Sequence, residues 1–226
     1  MIELKFLGKG AAFYPKFGNT NAMFEIDKNL YFLDFGESAF DKVFKTVNLE
    51  IYENICVILT HLHADHVGSL ASFISYMYCI LNKQITVVHP VDTVVKLLSL
   101  LGISKDFYKY SRELPQNSKF TICPYEVEHA NDMKAFGYVI EYNGEKIYFS
   151  GDAANIPEKV LNDFLAGKIK RLYQDTASHH STSHCHYSKL EELIPPSMRK
   201  QVFCMHFDDD YIDLLQKKGF SVIESI

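Results

Sequence analysis

The chain of 226 residues lacks any long hydrophobic run. A membrane-spanning helix needs about 20 consecutive apolar residues, but the longest apolar stretches, at residues 70–81 and 94–101, are interrupted by polar residues. The first seven residues alternate polar and apolar side chains, which is typical of a strand and unlike a signal peptide. We therefore expect a cytoplasmic protein with no membrane partner.

Cysteine is sparse, and no two cysteines have CxxC spacing. The odd count of five and the scattered positions argue against a disulfide framework and against a cysteine-only zinc site. This pattern fits a reducing cytoplasm.

Positive charge is also in short supply, with 23 basic against 28 acidic residues and a net charge of -5. Proteins that bind large folded RNA are usually basic, so we expect no such partner. A small phosphate substrate stays allowed, because bound metal ions would supply positive charge. The sequence shows no repeat, low-complexity tract or linker, so we expect residues 1–226 to form a single domain.

Strand patterns and helix patterns alternate along the chain. In the first half we predict strands at 2–7, 21–26, 30–34, 55–59 and 84–88, and helices at 38–47, 67–81 and 91–101. In the second half we predict strands at 119–127, 137–142, 146–149, 171–174, 201–205 and 220–223. Helices are predicted at 157–166, from Ser188, and at 211–218. This order predicts sheets covered by helices.

The strongest motif is the heptapeptide THLHADH at residues 60–66, which follows a buried strand and precedes a helix. Its histidines and aspartate are ligands for zinc, and also for manganese or iron. In extended chain His61 and His63 point the same way, whereas Asp65 and His66 turn towards a neighbouring point. One loop can therefore supply two adjacent metal ions. The alternative is a polar loop rich in histidine by chance.

Three further ligand-type residues follow predicted strands, namely His129, Asp152 and His206. Strand ends are where α/β folds usually place their sites. Each residue alone would more often be structural, but their shared position favours metal binding.

These seven residues resemble the HxHxDH, His, Asp and His pattern of the metallo-β-lactamase superfamily, and the match covers nearly the whole chain. The resemblance implies an α/β fold, a four-layer αββα sandwich. It also implies two divalent metal ions, Zn²⁺ first and Mn²⁺ second. One ion would take His61, His63 and His129, the other would take Asp65, His66 and His206, and Asp152 would bridge both.

The resemblance further implies a metal-dependent hydrolase, in which a bridging hydroxide attacks phosphorus or a carbonyl carbon. Asp65 is expected to serve catalysis as well as metal binding. True β-lactamases of this fold fit poorly, because they are exported and commonly carry Cys in place of Asp152. Glyoxalase II-type thioesterases and lactonases share all seven ligands and remain an alternative. A metal-binding sensor without turnover is a third hypothesis.

Two features favour the ribonuclease Z-like and cyclic phosphodiesterase branch. The segment FLGKGAA at 6–12, together with DFGE at 34–37, resembles the N-terminal region of ribonuclease Z. In that branch a histidine just before a helix contacts the scissile phosphate and can protonate the leaving oxygen. His186, two residues before the predicted cap Ser188, matches best, and His184 comes next. Alternatively, residues 178–184 are simply a polar loop, with His179 and His180 at the surface.

The expected substrate is small. Ribonuclease Z carries a long arm that grips tRNA, and the 22 residues between His129 and Asp152 are too few to form such an arm. We therefore predict a phosphodiesterase acting on a cyclic nucleotide, a cyclic phosphate or a short oligonucleotide. The resemblance also implies a homodimer. Residues 105–116 are expected to form a lid, a dimer contact or an ordinary surface connection. The buried Asp34 is expected to support the metal loop, and His89 to be structural.

Overall fold

The structure of the protein is a computed structural model that describes residues 2–114 and 120–226. The first of its two six-stranded sheets has the strand order β1 to β6. Its strands are β1 (Lys5–Phe6), β2 (Ala22–Ile26), β3 (Asn29–Leu33), β4 (Asn54–Ile58), β5 (Ile85–Val88) and β6 (Tyr108–Ser111). The first three strands pair antiparallel, and β3 to β6 pair parallel.

The second sheet has the order β12-β11-β10-β9-β8-β7. Its strands are β7 (Phe120–Val127), β8 (Ala135–Tyr142), β9 (Glu145–Phe149), β10 (Ile169–Asp175), β11 (Val202–Met205) and β12 (Ser221–Val222). Strands β7, β8 and β9 pair antiparallel, and β9 to β12 pair parallel. Both sheets are therefore mixed, and the carboxyl ends of their parallel strands can share one edge.

Helices cover the outer faces of both sheets. The helices are α1 (Ala39–Thr46), α2 (Ala64–Val67), α3 (Leu70–Cys79), α4 (Thr93–Leu100), α5 (Glu158–Leu165), α6 (Tyr187–Leu193) and α7 (Ile212–Lys217). On β3, Leu30 and Phe32 pack towards the helices of the first sheet, whereas Leu33 packs against the second sheet. This two-residue alternation places apolar side chains on both faces of β3, which is the pattern that a strand between two layers requires. The predicted α/β sandwich with an αββα layer order is confirmed.

Some predicted elements differ in extent. The strand expected at 2–7 is only Lys5–Phe6, and the helix expected at 67–81 is two helices, the first beginning at Ala64 inside the histidine motif. Residues 108–111 form the edge strand β6 beside β5 and not an irregular connection. Residues 115 and 116 of the expected lid, and Lys119 of the expected strand 119–127, lie outside the described residues.

The helices of the described chain are short. The longest, α3, has ten residues. Within residues 2–114 and 120–226, none has the length and apolar character that crossing a bilayer requires.

Candidate metal centre

All seven residues of the predicted ligand set lie in one region, where strands of both sheets end. His61 and His63 follow β4, His129 follows β7, Asp152 follows β9 and His206 follows β11. Asp65 and His66 belong to the short helix α2, which starts directly after His63. The sheets thus bring residues that are up to 145 positions apart in the sequence to a common edge.

The first group consists of His61, His63 and His129, whose nearest ring nitrogens lie within 4.8 Å of one another. Nε2 of His61 is 2.9 Å from Nδ1 of His63, and Nε2 of His129 is 3.1 Å from the same atom. Three imidazole nitrogens that converge in this way offer three lone pairs to one point. A neutral histidine nitrogen is a common metal ligand, so the group fits a divalent cation.

The second group consists of Asp65, His66, Asp152 and His206, all of them buried. Oδ2 of Asp65 is 3.2 Å from Nε2 of His66 and 3.2 Å from Nε2 of His206. The group therefore combines two imidazoles with two carboxylates in a small volume. Zinc and manganese both accept this mixture of nitrogen and oxygen ligands.

Asp152 lies between the two groups and offers one oxygen to each. Its Oδ1 is 3.2 Å from Nε2 of His66 and 3.2 Å from Nε2 of His206. Its Oδ2 is 3.9 Å from Nε2 of His61 and 3.7 Å from Nε2 of His129. This is the arrangement that a carboxylate bridging two cations requires.

Three buried polar atoms at the centre make no hydrogen bond to the described residues, although each has an ion-pair partner atom 3.2 to 3.4 Å away. They are Nε2 of His66, Oδ1 of Asp152 and Oδ1 of Asp175. A buried polar atom without a partner costs about 1–3 kcal/mol, so such atoms are rarely left without a ligand. Nitrogen and oxygen atoms orphaned at the point where two groups converge fit bound metal ions.

Neighbouring side chains hold the histidine rings in place. Nδ1 of His66 donates to Oδ2 of Asp34 at 2.8 Å, and Nδ1 of His129 donates to the carbonyl of Ser183 at 2.9 Å. Asp34 also accepts from the backbone nitrogen of Thr60 at 2.7 Å. A proton fixed on Nδ1 leaves the Nε2 lone pair facing the cluster. The expected supporting position of Asp34 below the metal loop is what the structure shows.

Burial and neighbouring charges shift the predicted ligands in different directions: the pKa values of His61 and Asp152 fall, whereas Asp152 and other carboxylates outweigh burial and raise the pKa values of His66 and His206. Burial and the neighbouring His66 hold the pKa of His61 well below its ordinary value. Burial opposes the ionisation of Asp152, but His206 and His66 outweigh it and hold the pKa of this carboxyl well below its usual range. The His61 ring is thus neutral and can offer a nitrogen lone pair to a metal ion, and the Asp152 carboxyl group is ionised.

His184 lies at the edge of the same cluster. Its ring stacks on that of His206, with ring centroids 5.1 Å apart, and its Nδ1 donates to Oδ2 of Asp175 at 2.7 Å. Burial lowers the pKa of His184, but the Asp175 carboxylate outweighs burial, and the net shift raises it. His184 lines a cavity of about 520 Å³ together with Asp65 and Asp152.

His186 takes a different position. It is itself the N-cap of α6, where Nδ1 accepts from the backbone nitrogen of Ser188 at 3.3 Å and Nε2 donates to the carbonyl of Ser178 at 3.1 Å. Its ring stacks on His180. The predicted cap at Ser188 is therefore wrong, because the helix begins at Tyr187. With the cap at His186, the histidine two residues before it is His184.

Of the other two histidines set aside in the sequence, His179 is exposed and pairs with Asp208 at 3.1 Å. His89 is buried, and its Nδ1 donates to the carbonyl of Val91 at 2.6 Å.

Asp175 is a further residue of this site, and it was not among the residues predicted from the sequence. It is fully buried, and Oδ2 accepts from the backbone nitrogen of Ala153 at 2.9 Å as well as from His184. The signal was available, since Asp175 directly follows the predicted strand at 171–174. It occupies the same kind of position as Asp152 and His206, the end of a parallel strand.

Solved structures with the same fold share this architecture. The metallo-β-lactamase fold protein YhfI from Bacillus subtilis superposes with a TM-score of 0.77 at 15% sequence identity, covering 99% of this chain and 97% of that one. Human tRNase Z, short form, superposes with a TM-score of 0.73 at 17% identity, covering 100% and 97%. At these identities the likeness shows the fold, and the predicted metallo-β-lactamase fold is confirmed.

Sequence comparison gives the family. An "Anti-Pycsar protein Apyc1" of Bacillus phage vB_BsuM-Goe3 is 25% identical over 246 residues, covering 96% of this chain and 93% of the relative. The family model described as Anti-Pycsar protein Apyc1 matches residues 2–224, a span that includes both sheets and all seven predicted ligands. The chain therefore belongs to the Anti-Pycsar Apyc1 family and is a metal-dependent hydrolase of the metallo-β-lactamase fold.

Proposed function

We propose that the protein hydrolyses a phosphodiester bond of a small nucleotide, with a 3′,5′-cyclic nucleotide as the first candidate, at a centre of two metal ions. The observation that carries this proposal is Asp152, whose two oxygens face two separate groups of ligand-type atoms. The pair formed by His184 and Asp175 lies directly beside them.

Each metal ion has a set of residues to hold it. His61, His63 and His129 would hold one ion, Asp65, His66 and His206 would hold the other, and Asp152 would contact both. Zn²⁺ is the first candidate, because imidazole nitrogens predominate, and Mn²⁺ is the second. Two such ions lower the pKa of a shared water towards neutrality and neutralise charge on the phosphate.

His184 is positioned to act as the general acid. Asp175 accepts the Nδ1 proton, so Nε2 is the ring nitrogen left to face a substrate. The imidazolium would donate the Nε2 proton to the leaving oxygen as the P–O bond breaks, which avoids expulsion of a free alkoxide. The Asp175 carboxylate would orient the ring and stabilise its protonated form, as the acidic partner of a catalytic histidine does elsewhere.

The surroundings of the centre favour a small substrate over an oligonucleotide. A groove of about 1190 Å³ leads away from His129, and Glu126, Glu128 and Asp132 line it. Its Lys134 is already paired with Glu126 at 2.9 Å. Because such a surface repels a phosphate backbone, a long polyanion gains little there.

A thioester or lactone hydrolase is the alternative with the same ligand set. A thioesterase would use the metal residues but releases a thiolate that leaves without a proton, so it needs no protonated histidine held by a buried carboxylate. A lactonase releases an alkoxide and would benefit from the same acid, so the activity screen has to separate it from a phosphodiesterase. The pair His184–Asp175 therefore favours a substrate with a poor leaving oxygen. The tRNase Z among the structural neighbours is a nuclease by name, which agrees with this choice.

The test is an activity screen of protein reconstituted separately with zinc and with manganese. Bis(p-nitrophenyl) phosphate and 3′,5′-cyclic nucleotides are compared with a thioester and a lactone, in wild type, Asp152→Ala and His184→Asn. Asp41→Asn, an exposed carboxylate on α1, is the matched control. We expect turnover of every phosphodiester to collapse in Asp152→Ala, turnover of the cyclic nucleotides to collapse in His184→Asn, and both activities to persist in the control. Turnover of the thioester or lactone alone would overturn the proposal.

Three predictions about the whole protein stay predictions. They are the homodimer implied by the ribonuclease Z resemblance, the cytoplasmic location and the organisation of residues 1–226 as a single domain.

A further inference from the structure

The cavity at the metal centre carries an aromatic ring on the side formed by the N-terminal loop. Phe13 lines the cavity with Asp152 and His184, and 98% of its surface is exposed. By contrast, Phe32, Phe35 and the other large phenylalanines of the core are fully buried. An apolar ring held in water at the mouth of a polar site gains free energy when a flat apolar group covers it.

The turn that carries Phe13 is fixed to the backbone of the metal centre. Residues 11–14 form a tight turn in which the backbone nitrogen of Tyr14 donates to the carbonyl of Ala11 at 3.1 Å. The backbone nitrogen of Ala11 donates to the carbonyl of Phe207 at 2.9 Å, and Phe207 directly follows His206. Backbone hydrogen bonds therefore hold the turn that carries Phe13 beside the segment that contains His206.

Glycine makes this close approach feasible. A Cβ atom at Gly10 would lie 2.6 Å from the carbonyl oxygen of Tyr14 and 2.9 Å from that of Gly18. The carbonyl of Gly10 accepts from Thr20, whose hydroxyl oxygen in turn accepts from the backbone nitrogen of His206 at 3.1 Å. The turn is thus a rigid support for Phe13.

Phe13 differs from the other aromatic residue at this mouth. Tyr14 already packs its ring against Phe17, with ring centroids 4.9 Å apart. Among the described residues Phe13 has no such ring contact, so its two faces are available to a ligand. The described residues lining this cavity include no Asn, Gln, Arg or Lys that could read the edge of a base.

We propose that Phe13 is a substrate-binding residue that stacks on the nucleobase while the phosphate lies at the metal centre. This inference rests on the proposed function, since it assigns the base-binding side of the same site. Stacking on an aromatic side chain is a strong and sequence-tolerant way to hold a base. It gives the enzyme a preference for a nucleotide over a phosphodiester that has no base.

The test compares two substrates that differ only by the base, adenosine 3′,5′-cyclic phosphate and the cyclic 3′,5′-phosphate of 1-O-methylribose. In the metal-loaded protein, Phe13→Ala is expected to lower kcat/KM for the nucleotide about tenfold, mainly through KM. The same variant should leave the base-free substrate within about twofold. Phe13→Trp should retain the wild-type preference, and Phe44→Ala, which removes a phenylalanine that is 59% exposed on α1, is the control.

Two results would overturn the assignment. One is an unchanged preference in Phe13→Ala, and the other is an equal loss for both substrates. An equal loss accompanied by a changed oligomeric state in sedimentation would assign Phe13 to a subunit contact instead. If the wild type turned over neither substrate, the proposed function would fail. The role of Phe13 would then be tested by calorimetry, comparing the affinity of the wild type and of Phe13→Ala for adenosine 5′-monophosphate. A weaker affinity in the variant would support base stacking, and an unchanged affinity would reject it.

Discussion

Nδ1 of His184 lies 2.7 Å from Oδ2 of Asp175, a carboxylate that is fully buried beneath the metal centre. This contact orients the ring of His184, which lines the cavity at the candidate metal centre. The proposed general acid is therefore a histidine of a polar loop that a buried carboxylate holds at a defined place.

The role of His184 predicts a dependence on the leaving group. His184→Asn is expected to lower kcat for a cyclic nucleotide by about 10²- to 10⁴-fold, because its alkoxide leaving group needs a proton. The loss should be much smaller for bis(p-nitrophenyl) phosphate, whose leaving group is stable without one. Steady-state kinetics with both substrates measure this difference. Equal losses for the two would place His184 outside proton transfer.

Replacing His186 is expected to lower the stability of the protein but to leave its activity almost unchanged. His186→Ala removes the acceptor for the backbone nitrogen of Ser188 at the start of α6. Loss of an N-cap costs about 1 kcal/mol, so thermal unfolding should shift to lower temperature. The kcat for a cyclic nucleotide should stay within about threefold of wild type. A large loss of kcat in a folded His186→Ala protein would instead restore His186 as the acid.

Replacing Asp175 is expected to shift the pH profile of kcat. A general acid must be protonated, so activity falls as the pH rises through the pKa of His184, which Asp175 raises against the effect of burial. Asp175→Asn removes that charge, and the alkaline limb of kcat should move to lower pH. Profiles of kcat for wild type and Asp175→Asn show the shift. An alkaline limb that stays in place would separate Asp175 from this proton.

The fold, and the seven residues that converge at the candidate centre, could be predicted because their signals are local. A buried strand followed by THLHADH specifies its own strand, loop and helix, and strand ends identified His129, Asp152 and His206. Strand alternation identified the layers, since residues such as Leu30 and Leu33 face different cores.

The remaining features depend on contacts between distant segments. Whether α6 begins at Tyr187 or Ser188 depends on the bond of His186 to Ser178, and that start decides which histidine reaches the site. The strand β6 has little pattern of its own and forms because β5 offers a free edge. Phe13 carries no distinguishing signal in the sequence, because its importance lies in its exposure at the cavity.

Replacing Asp34, which is not itself one of the predicted metal ligands, is expected to lower metal affinity. Asp34→Asn removes the negative charge that accepts the Nδ1 proton of His66. Changes to such supporting carboxylates typically weaken metal affinity about 10- to 100-fold. The loss should concern the ion that Asp65, His66 and His206 are proposed to hold. Competition with a chromophoric chelator measures it, with Asp41→Asn as control. Unchanged affinity in Asp34→Asn would contradict the supporting role.

We propose that Asp152 joins two metal sites into one centre. The most direct test of this proposal is the metal content of reconstituted protein after removal of excess zinc or manganese, measured by inductively coupled plasma mass spectrometry. We expect about two ions per chain in the wild type, about one or fewer in Asp152→Ala, and a parallel collapse of phosphodiester turnover in that variant. A wild type that is fully active with one ion per chain, or an Asp152→Ala variant that keeps both ions and its activity, would contradict it.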